Sequence, residues 1–392
     1  MNNVCFILTH GVDEYYSDYE SLAINESYLD IYSKAIGNYG YNGIVYIPSL
    51  YAKGVVEIKH KFGHLIKIIP FKNHFSFIKE VFKELKRDEV DIIHYANFIS
   101  RIFIKTAWLF SRGYPVIAQY SGGDLPTYLT GLKHLPSIKR MLLQTFTKLS
   151  FNKCSYFLVH EGYNVEQLRM LLKVPLRKIL EFQTMVIEPE IFYERDKQGS
   201  RYELKFEGEG IHILCVSRIP MPHESLLEKN PFLLLEIFNK LIEISKSKDI
   251  YLHIVGWGPG QKELIKAIKN SNASENIFYH GKIEHSKMPL YYSACDFTFL
   301  PVGCDKIVGF TAIESFACSR PVVAFKLFDH SISNQVGGLL ISPNVEKGAT
   351  ELLEFINSGM FDLKGKEGYE YSKKFHLLEV GKRLIEIYKS LL

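Results

Sequence analysis

Tyr251-Leu252-His253-Ile254-Val255-Gly256-Trp257-Gly258-Pro259-Gly260-Gln261 carries a strand, a glycine turn and the start of a helix in eleven residues. The apolar run Tyr251–Val255 is of strand length, and the helical pattern that opens at Gln261 runs to Ile268. The same grammar repeats outward in both directions. C-terminal to it, strands are predicted at Ile277–His280, Phe297–Leu300, Pro321–Phe325 and Gly338–Ile341, and helices at His285–Tyr292, Gly309–Cys318 and Glu346–Asn357. N-terminal to it lie strand Ile211–Val216 and helix Asn230–Lys246. The first half reads likewise: strands Val4–Thr9, Ile44–Ile47, Asp91–His94, Val116–Tyr120 and Ser155–His160 alternate with helices Tyr19–Ile36, Phe75–Arg87, Ile99–Ser111 and Asn164–Leu172.

Strand–helix alternation means parallel sheets covered on both faces. Two such runs, joined through the charged stretch Glu188–Lys205, predict an α/β protein of two Rossmann-like doubly wound domains. Their expected bounds are 1–192 and 193–372. A last helix, Tyr369–Leu392, leaves residues 373–392 to pack back on the first domain. In such sheets ligands bind at the carboxyl ends of the strands, and a cleft between two facing domains is the default site.

Composition excludes several classes. The 392 residues are 47% hydrophobic and 23% charged, close to globular averages. No apolar run approaches the roughly 20 residues that span a bilayer. The start, Met1-Asn2-Asn3-Val4-Cys5, has no basic segment of the secretory kind. Six scattered cysteines, most inside apolar runs and none in C-x-x-C, read as buried small hydrophobes. A cytoplasmic protein is expected, with zinc and disulfides absent.

The net charge of +4 is too small for a nucleic-acid footprint and is confined to the first half: residues 1–190 carry 22 basic and 18 acidic residues, and 191–392 carry 25 of each. Between Leu125 and His160 there is no acid, but there are Lys133, Lys139, Arg140, Lys148 and Lys153. Ile138, Met141, Leu142, Phe146 and Leu149 recur there at helical spacing. Such a basic amphipathic helix is either an ordinary surface helix packed on a sheet or a surface for anionic lipid or a phosphate-bearing acceptor.

The candidate site residues cluster at strand ends. Ser217-Arg218 ends strand Ile211–Val216, and Lys229 opens the next helix. An arginine fork and a lysine point charge suit a diphosphate. Gly256 and Gly258 form a turn that lets a phosphate approach backbone N–H groups, although G-x-G-x-x-G is not matched. Gly309 precedes a helix whose first turns hold Glu314, a carboxylate suited to the two hydroxyls of a ribose. In the first half, His10-Gly11, His94 and Ser121-Gly122-Gly123-Asp124 follow or end strands. G-x-S-x-G, the P-loop pattern and H-E-x-x-H do not occur.

Taken in order, these motifs resemble the GT-B glycosyltransferases, specifically retaining family 4. Ile213-Leu214-Cys215-Val216-Ser217-Arg218 is similar to the family's strand ending in Gly-Arg, and Val255-Gly256-Trp257-Gly258-Pro259 to its V-G-x-G-P. Asn276–Gly281 with Met288-Pro289-Leu290-Tyr291 resembles N-V-x-F-x-G and L-P-x-x-Y. Cys295–Pro301 is similar to A-D-V-F-V-L-P, Glu314–Val322 to E-A-M-A-C-G-K-P-V, and Val186–Phe192 to the linker pattern G-V-D-x-x-x-F.

The resemblance implies a hexosyltransferase that moves a sugar from a UDP- or GDP-sugar to a glycan or lipid-linked acceptor, with retention and no obligatory metal or other cofactor. It implies that Arg218 and Lys229 hold the donor diphosphate and that Glu314 binds the ribose. Backbone at Val308 and Gly309 would approach the diphosphate or sugar, with Gly11 nearby. Asp124 and the basic helix would face the acceptor, at the inner face of the membrane if the acceptor is lipid-linked. The chain departs from the family in three places. Lys306 stands where the family's E-x7-E has its first acid, which suggests a negatively charged donor sugar. Ser121 stands where H-G-x-D has histidine. Arg218 and Lys229 are spaced more widely, with Pro220-Met221-Pro222-His223 between them. These departures leave a second reading open, a GT-B protein that binds nucleotide or glycan without transfer.

Overall fold

The structure, a computed structural model, describes residues 2–8, 28–96, 101–119, 137–160, 165, 169, 173–183, 185–224, 229–245, 249–304, 307, 309–327 and 333–392. The chain divides into two compact units: residues 1–186 with 377–392, and residues 187–376.

The first unit is built on an eight-stranded sheet, ordered β3-β4-β2-β1-β5-β6-β7-β8. Its strands are β1 (Asn2–Ile7), β2 (Tyr41–Ser49), β3 (Val56–Lys59), β4 (Leu65–Pro70), β5 (Val90–Tyr95), β6 (Val116–Gln119), β7 (Tyr156–His160) and β8 (Ile179–Phe182). All pairs are parallel except β3 with β4. Helices α1 (Tyr28–Gly37), α2 (His74–Arg87), α3 (Arg101–Phe110) and α4 (Ser137–Lys153) accompany it. Apolar clusters lie on both faces of the sheet, one around Phe77, Phe103 and Phe157, the other around Phe6, Tyr32 and Val380. The edge strands β3 and β8 escape the sequence pattern. Val56-Glu57-Ile58-Lys59 is half polar, and β8 is four residues long.

The second unit is built on a seven-stranded sheet, ordered β11-β10-β9-β12-β13-β15-β14. Its strands are β9 (Ile211–Val216), β10 (Ile250–Val255), β11 (Ile277–Gly281), β12 (Phe297–Cys304), β13 (Val322–Lys326), β14 (Asn334–Gln335) and β15 (Gly338–Ile341). Only the short β14 runs antiparallel. Its helices are α5 (Lys197–Leu204), α6 (Pro231–Ser245), α7 (Gln261–Lys269), α8 (Met288–Ala294), α9 (Phe310–Ala317), α10 (Val345–Ser358) and α11 (Phe361–Ser372). Five of the six cysteines are buried and Cys304 is half-buried.

The structure adds to the sequence expectations at three places. The charged stretch Glu188–Lys205, expected to join the two runs, holds a helix of its own. This is α5, whose Arg201 and Lys197 each reach a carboxylate oxygen of buried Asp296 at 2.8 Å, while Asp296 also accepts the His212 amide at 2.8 Å. Two of the charges in this stretch are thus paired with a buried acid. The single helix expected over Tyr369–Leu392 is two. α11 ends at Ser372, a tight turn spans Lys373–Phe375, and α12 (Leu377–Lys389) follows. The turn is held where the Ile187 amide donates to the Phe375 carbonyl at 2.8 Å. α12 packs in the first unit against α1, burying Val380, Leu384 and Tyr388. Both flanks of the break are amphipathic, so periodicity alone runs through it.

For α4 the sequence leaves two readings open, and four of its apolar residues are bare: Ile138 is 71% exposed, Met141 59%, and Leu142 and Leu149 are exposed as well. The helix is instead fastened by its later turns. Buried Ser150 donates to the Ile104 carbonyl at 2.8 Å, Phe151 joins the core, and Phe146 stacks on Trp108 at 5.9 Å. No helix among the described residues is long and apolar enough to cross a membrane.

Candidate donor-binding site

At the carboxyl edge of the second unit's sheet, three strands end side by side. β9 leads into Ser217 and Arg218, β10 into Gly256 and Trp257, and β11 into Lys282 and Ile283. These residues, with Lys229, Gly309 and Glu314, line a cavity of about 530 Å³. Two bases singled out by sequence reasoning, Arg218 and Lys229, thus meet Lys282 and the acid Glu314 at a single site.

The loop after β9 is set by backbone contact. A Cβ on Gly256, whose φ is +152°, would lie 1.8 Å from the Ser217 carbonyl oxygen, and one on Gly258 would lie 2.1 Å from that of Ile219. The Ile219 amide donates to the Trp257 carbonyl at 3.1 Å, and the Gly260 amide to the Ile219 carbonyl at 3.1 Å. The glycines therefore let one loop lie on another, and Arg218 projects, exposed, from the loop they support. Gly258 is absent from the cavity wall, so this packing is its visible role.

Lys229 is exposed and sits just before Asn230. The Asn230 amide donates to the Pro301 carbonyl at 2.7 Å, and its side-chain oxygen accepts the Leu233 amide at 2.9 Å. The start of α6 is thereby tied to β12, which holds the lysine near the strand ends.

Glu314 lies in α9 and is buried. Oε2 accepts a hydrogen bond from the Tyr292 phenol at 2.7 Å, and Oε1 lies 2.9 Å from Nε2 of His285. Tyr292 is fully buried; burial and the adjacent carboxylate push its phenol well above the usual range, so it stays a donor. His285 is mostly exposed and packs on Phe192 at 5.0 Å. One carboxylate oxygen is thus held by a fixed interior group and the other by a group at the mouth of the cavity. Gly309, at φ +118°, turns the chain into α9 and accepts the Ile313 amide at 3.0 Å.

The remaining sequence candidates fall elsewhere. His94 is a core residue of the first unit: it is wholly buried, its Nδ1 lies 2.8 Å from the Tyr388 hydroxyl, and burial lowers its pKa to about 3. Its place at a strand end reflects the docking of α12, not an open surface. His10, Gly11, Ser121, Asp124, Lys133, Lys306 and Val308 lie outside the described residues, as do the side chains of Lys139 and Arg140. Lys148 is exposed on α4. Sequence reasoning passed over Trp257, Lys282 and His285 as site residues. The only signal for them is position after a strand, which becomes informative once β11 is known to neighbour β10.

Residues 203–370 match the family model of the glycosyl transferases group 1. This segment is similar to the group 1 glycosyltransferases. The matched segment holds Arg218, Lys229 and Glu314 within its span. The chain is 27% identical over 206 residues to the alpha-monoglucosyldiacylglycerol synthase of Streptococcus pneumoniae, a match covering 51% of this chain and 43% of that protein. The match thus spans less than half of that relative's length.

Among solved structures, Anabaena HepE in complex with UDP superposes with a TM-score of 0.70 at 12% identity, covering 100% of both chains. Sucrose-phosphate synthase from Thermosynechococcus elongatus gives 0.69 at 15% identity, covering 100% of this chain and 99% of that one. These likenesses establish the fold, which is GT-B.

Proposed function

We propose that the protein is a retaining hexosyltransferase of family 4 that moves a sugar from a UDP- or GDP-sugar to a lipid-linked or glycan acceptor. The observation that carries the reading is the meeting of Arg218, Lys229 and Glu314 on one cavity of the second unit. The two cations bind the donor diphosphate and stabilise the charge that grows on it as it leaves, with no obligatory metal. Glu314 accepts hydrogen bonds from the ribose hydroxyls. The acceptor hydroxyl attacks the anomeric carbon on the face the diphosphate leaves. The bond from carbon to diphosphate oxygen breaks as the new glycosidic bond forms, and the hydroxyl proton passes to the departing phosphate.

The acceptor side of the reading rests on α4, whose bare apolar residues lie among basic ones, and on the name of the streptococcal relative, which describes a glucosylated diacylglycerol. A lipid-linked acceptor would place the protein at the cytoplasmic face of an anionic membrane, with Asp124 on the acceptor side. Lys306 would meet a negatively charged donor sugar.

The test is release of nucleoside diphosphate from UDP- and GDP-sugars in the presence of vesicles containing diacylglycerol or glycan acceptors, in EDTA and with Mg²⁺, followed by NMR of the product's anomeric configuration. Turnover with retained configuration supports the reading. Donor binding without turnover on any acceptor would favour a protein that only binds nucleotide, and an inverted product would remove the mechanism.

A further inference from the structure

We propose that the indole of Trp257 is the platform on which the nucleobase of a bound nucleoside diphosphate stacks. The inference rests on the donor reading above and adds the residue that takes the base. Trp257 is 63% exposed on the cavity wall. Its backbone is nevertheless tightly held. Gly256 and Gly258 press on the carbonyls of Ser217 and Ile219, and the Trp257 carbonyl accepts the Ile219 amide at 3.1 Å. Between these two held glycines, Trp257 lines the cavity. A flat ring on a fixed backbone needs little ordering when a ligand arrives.

The chemistry along the sheet edge has a matching order. β9 supplies the cation Arg218, β10 supplies Trp257, and β11 supplies Lys282 and Ile283, in the strand sequence β9-β10-β11. Neighbouring strands are about 5 Å apart. The flat indole therefore stands one strand spacing from the loop that carries Arg218. A nucleoside diphosphate is anionic at one end and carries a planar heteroaromatic ring at the other. Aromatic stacking tolerates any base because each has a π-face, so the platform supplies affinity and orientation.

The chain has two tryptophans, which makes the test direct. Trp108 stacks on Phe146, and its Nε1 is buried without a hydrogen-bond partner, so Trp108→Phe keeps the stack and removes no bond. In W108F protein the emission reports Trp257 alone. UDP, GDP, ADP and the base-free probe inorganic pyrophosphate are titrated by calorimetry and by fluorescence. Any nucleoside diphosphate that binds is expected to quench the emission, and pyrophosphate to bind without quenching. Trp257→Ala is expected to weaken the nucleotide by roughly tenfold or more while leaving pyrophosphate unchanged, and Trp257→Phe to keep most of the affinity. Binding heat with unquenched emission and an unchanged Kd in W257A overturns the platform and leaves the donor reading standing. Absence of binding by every nucleotide to the wild-type chain overturns both.

Discussion

The phenol of Tyr292 donates to Oε2 of Glu314 across 2.7 Å inside the second unit, where Tyr292 has no exposure to solvent. The bond fixes the carboxylate at one oxygen and leaves the other directed at the cavity mouth, where His285 now holds it. A hydrogen bond to a charged group contributes about 1.5–3 kcal/mol. Tyr292→Phe is therefore expected to lower stability by about that amount and to raise the donor KM more than it lowers kcat. Denaturant unfolding and steady-state kinetics of the variant check both. A loss of stability with an unchanged KM would reduce Tyr292 to a purely structural residue.

Arg218 is exposed, so its removal is expected to leave folding intact while damaging the reaction. Losing one preorganised group that stabilises developing charge costs about 2.7–4 kcal/mol. Arg218→Ala is expected to lower kcat/KM for the nucleotide-sugar by a factor of roughly 10²–10³ at an unchanged Tm. Near-normal kinetics would move the diphosphate away from this loop.

The glycine turn after β10 is predicted to act through the loop it supports. Gly258→Ala would set a Cβ 2.1 Å from the Ile219 carbonyl oxygen, and the clash is backbone on backbone. The loop carrying Arg218 must shift, at a cost of about 1–3 kcal/mol. The expected result is a lower Tm together with a higher donor KM, although Gly258 is off the cavity wall. A variant with both values unchanged would show that the two loops are not coupled.

What was legible in the sequence was local. Strand, turn and helix periods are written within about fifteen residues, and Arg218, Lys229, Gly309 and Glu314 stand at the ends of such periods. Their convergence on one cavity follows from parallel strands carrying their carboxyl ends to one edge. The missed features depend on contacts between distant segments. Nothing near Trp257 or His285 in the sequence shows that β11 lies beside β10. Nothing near Arg201 shows Asp296, 95 residues away, as its partner. His94 misled for the same reason: the Tyr388 that makes it a core residue is 294 residues along the chain.

Both units hold histidines that folding keeps neutral. Burial lowers His94 to about 3, and burial with neighbouring His212, His280 and Arg201 lowers His253 to about 2. His253 Nε2 lies 2.9 Å from His212 Nδ1, its Nδ1 lies 3.0 Å from His280 Nε2, and Phe206 stacks on its ring at 3.7 Å. The unfolded chain takes up these protons near pH 6.5 and the folded chain does not. Stability from these groups is therefore complete above pH 6.5 and falls as pH drops toward the folded values, by about 1.4 kcal/mol per group per pH unit. Urea midpoints are expected to hold down to about pH 6.5 and to fall steadily from there to pH 5, and His253→Gln to flatten the slope. A midpoint that holds constant across this range would contradict the buried neutral pair.

The last prediction concerns α4. Ile138 and Met141 are more than half exposed, Lys148 is exposed on the same helix, and the acid-free stretch around it also carries Lys139 and Arg140. Apolar residues that enter a headgroup region and bases that attract anionic lipid would together hold such a helix at a membrane surface. The protein is expected to pellet with phosphatidylglycerol vesicles, and less so with phosphatidylcholine vesicles or as salt rises. Each base near the surface contributes about 1 kcal/mol. Lys148→Glu is therefore expected to weaken vesicle binding roughly tenfold, and Met141→Ser to weaken it further at high salt, where the apolar contribution remains. Both residues lie outside the matched segment 203–370, so donor binding is expected to be unchanged in both. Equal pelleting with neutral and anionic vesicles, or none with either, would leave the exposed face of α4 without a lipid partner.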